Sequence, residues 1–501
     1  MNSSHSIGST NPGAAAKPSV GGELWLFTQD HRRLAWMYAI VIGLSLVVGT
    51  VLAVGLGLQP LTGRGTAADA ESYRRLYSMH GLVMVFLVAL PALPGIVGNW
   101  LLPERLGVDE MAWPRMNLLA FQLLLVGCVF FLVAFFATPL DTGWDFALPY
   151  ALKSNSSVAW GMLGIVFVGA SFATSGANIV ATVITSRGNG RCWSDLPFFA
   201  WAMGAAGLIQ AIVTPVLLTA LALLFAQREG ASDVFASSGA DVRFDQWFWF
   251  WAHPALASML LAAIAVIGDV VGEHGDRPRG ASRASVLSVM AITVFAFAGW
   301  GIHVLGRTDS AACDTAFSAL VLASGVPLII LIVDWVTTLE RGEARATTAL
   351  GYAATSVVAL TVGGMAGVFL AVPGTGAHLQ NTSFSTGVLH FLVVGGVLGA
   401  LLSGVHQLWP RWLGVAAREG WGKFGCFLFF VGVNLAFVPL CVRGYLGQPR
   451  RTLEVVAADE RLGWYAVLGA VLIIGALTLA AWNLVATLLD SRATLAKKEA
   501  D

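Results

Sequence analysis

Residues Thr382 to Gly396 read TSFSTGVLHFLVVGG, an apolar helical stretch with one histidine, His390, near its middle. An ionisable ring at the depth of a bilayer is costly unless it is satisfied, so it usually faces the interior of a helix bundle. Val388 lies two positions earlier, and positions i and i+2 of an α-helix are about 200° apart. One face of this helix therefore carries a ring that can bind a ligand, and nearly the opposite face carries a side chain that cannot.

The composition is that of a polytopic membrane protein. Hydrophobic residues make up 56% of the 501 residues and charged residues 12%, and long apolar runs recur along the whole chain. The net charge is zero, so charge gives no argument for a nucleic-acid partner. The cysteines have neither disulfide nor metal-ligand spacing, so we predict that they are packing residues; they are Cys128, Cys192, Cys313, Cys426 and Cys441.

Twelve apolar segments are long enough to cross a bilayer. They cover approximately residues 35–58, 80–102, 117–139, 157–186, 197–225, 248–270, 284–306, 312–337, 347–372, 384–409, 420–445 and 462–489. The predicted fold is all-α, with one twelve-helix membrane domain over residues 24–490, a disordered tail over 1–23 and a short tail over 491–501. Most of the 29 lysines and arginines then fall on one side, which predicts that both termini are cytoplasmic.

Four histidines lie at the depth of the predicted spans: His80, His253, His303 and His390. A single buried histidine is as often hydrogen-bonded to a neighbouring carbonyl as it is a metal ligand. Four of them in an otherwise uncharged interior favour ligation, because neutral imidazole commonly binds haem iron, copper and zinc.

Two adjacent arginines, Arg450 and Arg451, follow the eleventh span in the run GQPRR. Paired guanidinium groups at a membrane interface suit bidentate binding of carboxylates, haem propionates among them. Taken alone, the pair is more typical of side chains that reach lipid phosphate.

These residues stand in motifs that resemble subunit I of the haem-copper oxidases, the cytochrome c and quinol oxidases. Residues 78–103, SMHGLVMVFLVALPALPGIVGNWLLP, resemble the helix whose histidine, His80 here, binds the low-spin haem. Residues 247–254, WFWFWAHP, resemble the copper-ligand helix, and residues 434–451, NLAFVPLCVRGYLGQPRR, resemble the eleventh helix with its propionate-binding arginines. Further matches are MAWPRMN at 111–117, GWDFALPY at 143–150, GVP at 325–327 and LTVGGMAG at 360–367. The resemblance covers nearly the whole chain and implies the twelve-helix fold of that family.

The sequence departs from the family pattern at the high-spin haem. The tenth helix of the family carries His-x-His, whose first histidine binds the high-spin haem and whose second binds the low-spin haem. The corresponding residues are Val388 and His390, and valine has no donor for iron. The family's His-Asp pair just upstream reads Gln380 and Asn381. The resemblance therefore implies a low-spin site at His80 and His390 and no protein ligand for a high-spin haem.

The copper site is depleted as well. His253 is present, but the two adjacent histidines of the family read Ile302 and His303. Two imidazoles remain where the family's redox copper uses three, so His253 and His303 are weak copper candidates and bound copper is not expected. The positions of the family's crosslinked tyrosine and of its proton-route glutamate read Ala257 and Ala255.

Both proton routes of the family are interrupted in this sequence. The lysine and threonine of one route read Leu331 and Leu328. The mouth of the other is retained in Glu110, Asn99 and Asn117, yet that route leads to an alanine. Because proton movement through hydrocarbon needs polar relays, we predict neither proton pumping nor four-proton oxygen reduction.

The main hypothesis is a cytochrome c oxidase subunit I-like membrane haem protein with one bis-histidine, low-spin haem. His80 and His390 would bind the iron, while Arg450, Arg451 and Trp144 would hold the propionates at the extracytoplasmic side. A six-coordinate haem passes electrons but has no open position for oxygen. The chain would then be an electron-transfer or scaffolding subunit of a respiratory complex, and whether it is itself an oxidoreductase enzyme stays open.

Two alternatives remain from the sequence. An active terminal oxidase or nitric oxide reductase would need a new ligand for the high-spin iron, and the nearby candidate, His378, lies ten positions before Val388, or about 15 Å along a helix. A transporter without a cofactor would explain the spans but not the retained histidines and arginines.

The resemblance also implies the cofactor type, the partners and the location of the chain. Haem b is favoured over haem A, because the family's arginine at the haem edge reads Gly57. Other respiratory subunits are expected as partners, among them a cytochrome c-like or copper-domain protein on the extracytoplasmic side. The expected location is a bacterial inner membrane.

Overall fold

Twelve helices in the described part of the chain are long and apolar enough to cross a membrane, as predicted. The computed structural model describes residues 25–62, 66–187, 190, 192–232, 234–235, 240–275, 281–304, 310–342, 344–453 and 460–500. The helices are α1 (His31–Leu61), α2 (Ala68–Leu106), α3 (Pro114–Phe136), α4 (Val158–Thr185), α5 (Phe198–Arg228), α6 (Arg243–His274), α7 (Arg283–Val304), α8 (Ala311–Arg341), α9 (Thr348–Ala371), α10 (Ser383–Leu413), α11 (Glu419–Tyr445) and α12 (Glu460–Asp490). The predicted tail over residues 1–23 lies outside the described residues.

The described residues form no strand, and the all-α prediction is confirmed. A single isolated β-bridge joins Thr382 to Pro449, so the loop after α11 is held against the start of α10. The helix that contains α12 continues to Ala500, so much of the predicted tail over residues 491–501 is helical. Helix α8 is interrupted at Ser324, which separates the helical pieces Ala311–Ala323 and Gly325–Arg341.

Helix α2 begins at Ala68, well before the apolar run that predicted its start near residue 80. Thr66 and Asp69 form a capping box, in which each side chain accepts a hydrogen bond from the backbone of the other. This cap begins a polar turn that contains Arg74 and Arg75, which an apolar-run criterion cannot count as part of a span. The ligand candidate His80 consequently lies within a continuous helix and not at its end.

Burial separates central helices from peripheral ones. The most apolar windows of α2, α6 and α10 are 78%, 67% and 61% buried, whereas those of α1, α8 and α12 are each 17% buried. Apolar side chains on the outer helices, such as Leu44 and Val326, are exposed, as expected of a lipid-facing surface. The three central helices are those that carry His80, His253 and His390, so these rings are enclosed by the bundle.

Candidate functional site

His80 on α2 and His390 on α10 face each other inside the bundle. Their ring centres are 6.2 Å apart and their planes differ by 2°. An imidazole nitrogen binds a metal at about 2 Å, and with about 1 Å from nitrogen to ring centre, rings on opposite sides of one ion have centres about 6 Å apart. The observed separation therefore suits one metal ion between the two rings.

Backbone carbonyls hold both rings in the tautomer whose Nε2 atom is unprotonated and can bind a metal. His80 Nδ1 lies 2.9 Å from the Gly49 carbonyl oxygen, and His390 Nδ1 lies 2.7 Å from the Thr386 carbonyl oxygen. A carbonyl only accepts hydrogen bonds, so each Nδ1 carries the proton and donates. Each Nε2 is then left with its lone pair, which is the state of a metal-binding histidine with a fixed ring orientation.

The backbone around the two histidines is unusual in ways that the sequence did not reveal. A π-helical segment, Val83–Ala89, begins shortly after His80, and another, Phe391–Leu398, begins directly after His390. Such wide turns are rare in proteins overall, and those that occur are often found at functional sites. Gly49, whose carbonyl accepts from His80, packs closely against α2, because a Cβ there would collide with the Met84 side chain.

Arg450 joins the loop after α11, residues 446–453 (the arginine loop), to the start of α10. Its Nη2 atom donates to Asn381 Oδ1 at 3.2 Å, and its backbone N–H donates to the Asn381 carbonyl at 3.0 Å. Burial, and next the charge of Arg451, lower the pKa of Arg450. This guanidinium therefore has a neutral hydrogen-bond partner, while the carboxylates of Asp145 and Asp245 act on its pKa in the opposite direction to Arg451.

Arg451 makes a different contact. Its Nη2 atom forms an ion pair with Asp145, in the loop between α3 and α4, and its guanidinium lies 5.6 Å from the centre of the Tyr77 ring. Burial alone would lower the pKa of Arg451, but the Asp145 carboxylate and the Tyr77 hydroxyl raise it overall. Asp145 was not among the predicted site residues; it stands in the GWDFALPY motif, 306 positions from its partner.

Trp144 lies beside the turn that carries His80. Its ring centre is 5.4 Å from that of Phe248 and 6.4 Å from that of Phe86. Gly81, next to His80, packs against this ring, since an added Cβ on Gly81 would lie 2.6 Å from Trp144 Cδ1. Gly143, in the loop that carries Trp144, packs against Arg451, since an added Cβ on Gly143 would lie 3.4 Å from Arg451 Nη1. The structure thus places the tryptophan ring against the ligand helix and the backbone of its loop against the arginine.

His253 and His303 contact each other. His253 Nδ1 and His303 Nε2 are 3.1 Å apart, so one ring donates a hydrogen bond to the other, and Trp249 stacks on His303 with ring centres 3.9 Å apart. Among the described residues, the one group of three or more potential metal ligands is Asp30, His31 and Glu110, which does not include this pair. This hydrogen bond satisfies one nitrogen of each ring without a metal.

We predict that the purified protein holds far less than one copper per chain, because this pair lacks a third ligand in the described structure. Copper and iron should be counted by mass spectrometry after expression in copper-supplemented medium, with His253→Ala as the matched variant. The two proteins should contain the same trace of copper. One copper per chain that disappears in His253→Ala would contradict the prediction.

The Val388 side of α10 is closed by apolar side chains. Val388 is 5% exposed and belongs to a cluster with Leu379 and Phe384, against which Leu370 and Leu392 pack. The alternative ligand candidate, His378, is exposed on the short helix Pro373–Leu379. A histidine on the surface of that helix is poorly placed to replace a ligand at Val388.

The comparisons with known proteins identify the family. Residues 33–478 match the family model described as Cytochrome C and Quinol oxidase polypeptide I. The chain belongs to this family. It is 30% identical to cytochrome c oxidase subunit 1 of Synechocystis sp. over 89% of this chain and 82% of that protein, and 28% identical to cytochrome c oxidase subunit 1 of Bacillus subtilis over 87% and 71%. Quinol oxidase subunit 1 of Bacillus subtilis is 27% identical over 88% of this chain and 68% of that protein.

The fold of the family is also evident from a solved structure. A chain of a haem-copper terminal oxidase dimer superposes with a TM-score of 0.77 at 17% identity, over 92% of this chain and 84% of that one. The protein is therefore an integral membrane protein with the haem-copper oxidase subunit I fold. Membership of the family supports a haem cofactor and a place among the subunits of a membrane respiratory complex.

The residues predicted to lie at the mouth of a proton route form two polar contacts in the structure. His31 Nδ1 lies 2.9 Å from Glu110 Oε1, and Asn117 donates to Asn99 at 2.8 Å. Further inside, sequence analysis missed a neutral polar pair, in which Gln210 Nε2 donates to Ser258 Oγ at 2.6 Å. Ser258 in turn donates to the carbonyl of Ala255, at the position where the family's glutamate would stand. Hydroxyl and amide groups can hold water here, but they do not titrate near neutral pH.

Proposed function

We propose that this chain is a subunit I-like haem protein that binds one low-spin haem and acts as an electron-transfer or scaffolding subunit of a respiratory complex. The facing rings of His80 and His390, with centres 6.2 Å apart, are the observation that carries this proposal. His80 and His390 would hold the haem, which would supply one-electron redox chemistry. The carbonyls of Gly49 and Thr386 would fix the orientations of the two rings, and the enclosing helices would exclude water.

The residues around the former reaction site support a role without oxygen reduction. Val388 offers iron no donor, and its surroundings are apolar. His253 and His303 are hydrogen-bonded to each other, and the methyl side chain of Ala255 cannot donate or accept a proton. Reduction of oxygen needs an open metal position and a supply of protons, and these positions provide neither.

Electrons would enter at the end of the site where Arg450 and Arg451 lie, which is the end where the haem propionates would bind. Arg450 and Arg451 lie outside the spans, on the side predicted to be extracytoplasmic. A cavity of about 420 Å³ opens beside Arg451, with Tyr77, Ser78 and Tyr150 among its lining residues. A cytochrome c-like or copper-domain partner that docks over this end would come near the haem, and a further partner would have to accept the electron.

The second candidate function is an active terminal oxidase, which the names of the curated relatives favour. It requires a high-spin haem with a ligand other than residue 388. A nitric oxide reductase has the same requirement. A transporter without a cofactor has no support from the comparisons, because the matched family consists of cytochrome c and quinol oxidases.

We predict one haem per chain, of type b and entirely low-spin, because His80 and His390 form a complete ligand pair and Val388 cannot bind a second iron. A pyridine haemochrome assay with total iron per chain measures type and stoichiometry, and a carbon monoxide difference spectrum detects an open iron position. The expected spectrum is unchanged by carbon monoxide. A second haem, or a carbon monoxide-binding fraction near one per chain, would favour the oxidase instead.

A further inference from the structure

Asp145 places a negative charge next to Arg451, one of the two arginines at the end of the site where the haem propionates would lie. Its side chain is 12% exposed and that of Arg451 is 23% exposed, so the pair is largely removed from solvent and weakly screened. Arg450 has the neutral Asn381 as its hydrogen-bond partner. Asp145, Arg450 and Arg451 together carry a net charge of one positive unit, whereas the two arginines alone would carry two. Asp245 is a further carboxylate that acts on Arg450 and is common to all the variants considered below.

The ion pair of Arg451 and Asp145 contains one hydrogen bond where the two groups could form two. Arg451 Nη2 donates to Asp145 Oδ2, but among the described residues neither Arg451 Nε nor Asp145 Oδ1, both buried, has a hydrogen-bond partner. A bidentate pair would use two parallel hydrogen bonds. Arg451 therefore keeps a donor for a carboxylate from another group, even though its charge is already balanced.

The arginine loop is tied to both ligand helices. On one side, Arg450 and the bridge from Pro449 to Thr382 fasten it to the start of α10, which carries His390. On the other side, Asp145 belongs to the loop in which the Gly143 N–H donates to Ser78 Oγ at 2.8 Å, two residues before His80. The charges of this cluster are thus held in place relative to the two histidines.

We infer that Asp145 is a tuning residue, which lowers the reduction potential of the haem held by His80 and His390 by neutralising Arg451. This inference rests on the proposed function. Reduction adds one negative charge to the iron site, and a nearby fixed carboxylate disfavours that charge. The same carboxylate offsets the arginine that would otherwise favour reduction. A lowered potential makes the reduced haem a better electron donor to the next carrier.

The test is an equilibrium redox titration of the low-spin band in the purified full chain and in its Asp145→Asn variant. Asparagine keeps an oxygen that can accept from Arg451 and removes the charge. We expect the reduced-to-oxidised ratio at a fixed potential to rise about tenfold, which for one electron is a shift of 59 mV. Arg451→Gln should move the potential in the opposite direction, because it leaves Asp145 uncompensated. Loosening of the site would not produce two shifts of opposite sign.

Glu71→Gln is the matched control. Glu71 pairs with Arg75 at the same end of the bundle and is 48% exposed, so the same change in charge should be screened and should leave the potential unchanged. If Asp145→Asn does not retain haem, Asp145→Ser removes the charge with a smaller side chain and should raise the potential likewise. An unchanged potential in a haem-loaded Asp145 variant overturns the inference alone. Absence of haem from the unsubstituted chain overturns the proposed function and the inference with it.

Discussion

The His390→Ala protein is expected to enter the membrane and to be purified without haem. His390 is one of the two residues that would hold the haem in the proposed site, and in the alanine variant His80 would be the single remaining ligand. His80→Ala should have the same effect from the other side. Haem content should fall more than tenfold in either variant, as measured by the haemochrome assay and by the low-spin band of the reduced protein.

His406→Ala is the matched control for this experiment. His406 is a buried histidine on the same helix, 7% exposed, and its Nδ1 atom bonds to the Leu402 carbonyl at 2.8 Å, in the same manner as His390. Its loss removes a buried imidazole from α10 without touching the proposed site, so haem should be retained. Normal haem content in His390→Ala or in His80→Ala would show that the iron has another ligand and would refute the bis-histidine site.

The chain purified without partners should become reduced but should not consume oxygen or nitric oxide. With ascorbate and a mediator, the low-spin band is expected to appear in full, because electrons can reach a haem near the arginine end of the bundle. Oxygen uptake should stay at the rate of the mediator alone. The proposed reason lies in three positions of the described structure. Val388 offers iron no donor, His253 and His303 are hydrogen-bonded to each other, and Ala255 has no titratable side chain.

Oxygen electrode traces with and without cyanide measure this directly. The His390→Ala protein is a suitable background control, since it should contain the same lipids and detergent but no haem. Sustained uptake that cyanide abolishes would refute the electron-transfer proposal and establish a terminal oxidase. Consumption of nitric oxide above the mediator rate would establish a reductase.

The sequence by itself determined the class of the protein and the number of its spans. Both depend on local composition, since twenty consecutive apolar residues cross a bilayer whatever surrounds them. The departures at Val388, Ile302 and Ala255 were also visible in the sequence, because they are replacements within motifs that remain in order. The family match and the twelve helices in the described part of the chain confirm the class and the number of spans, whereas what the departures mean for the site stays a prediction.

The tertiary structure alone decided which groups meet at the site. His80 and its acceptor Gly49 are 31 positions apart, and Asp145 and Arg451 are 306 positions apart. Neither pair follows a periodic pattern, because each is formed where separate helices or loops pack together. The early start of α2 and the π segments beside both histidines depend in the same way on capping and on packing. Hydrophobic patterning sets which segments enter the membrane, whereas the charges and carbonyls around the histidines are positioned by contacts between segments that are distant in the sequence.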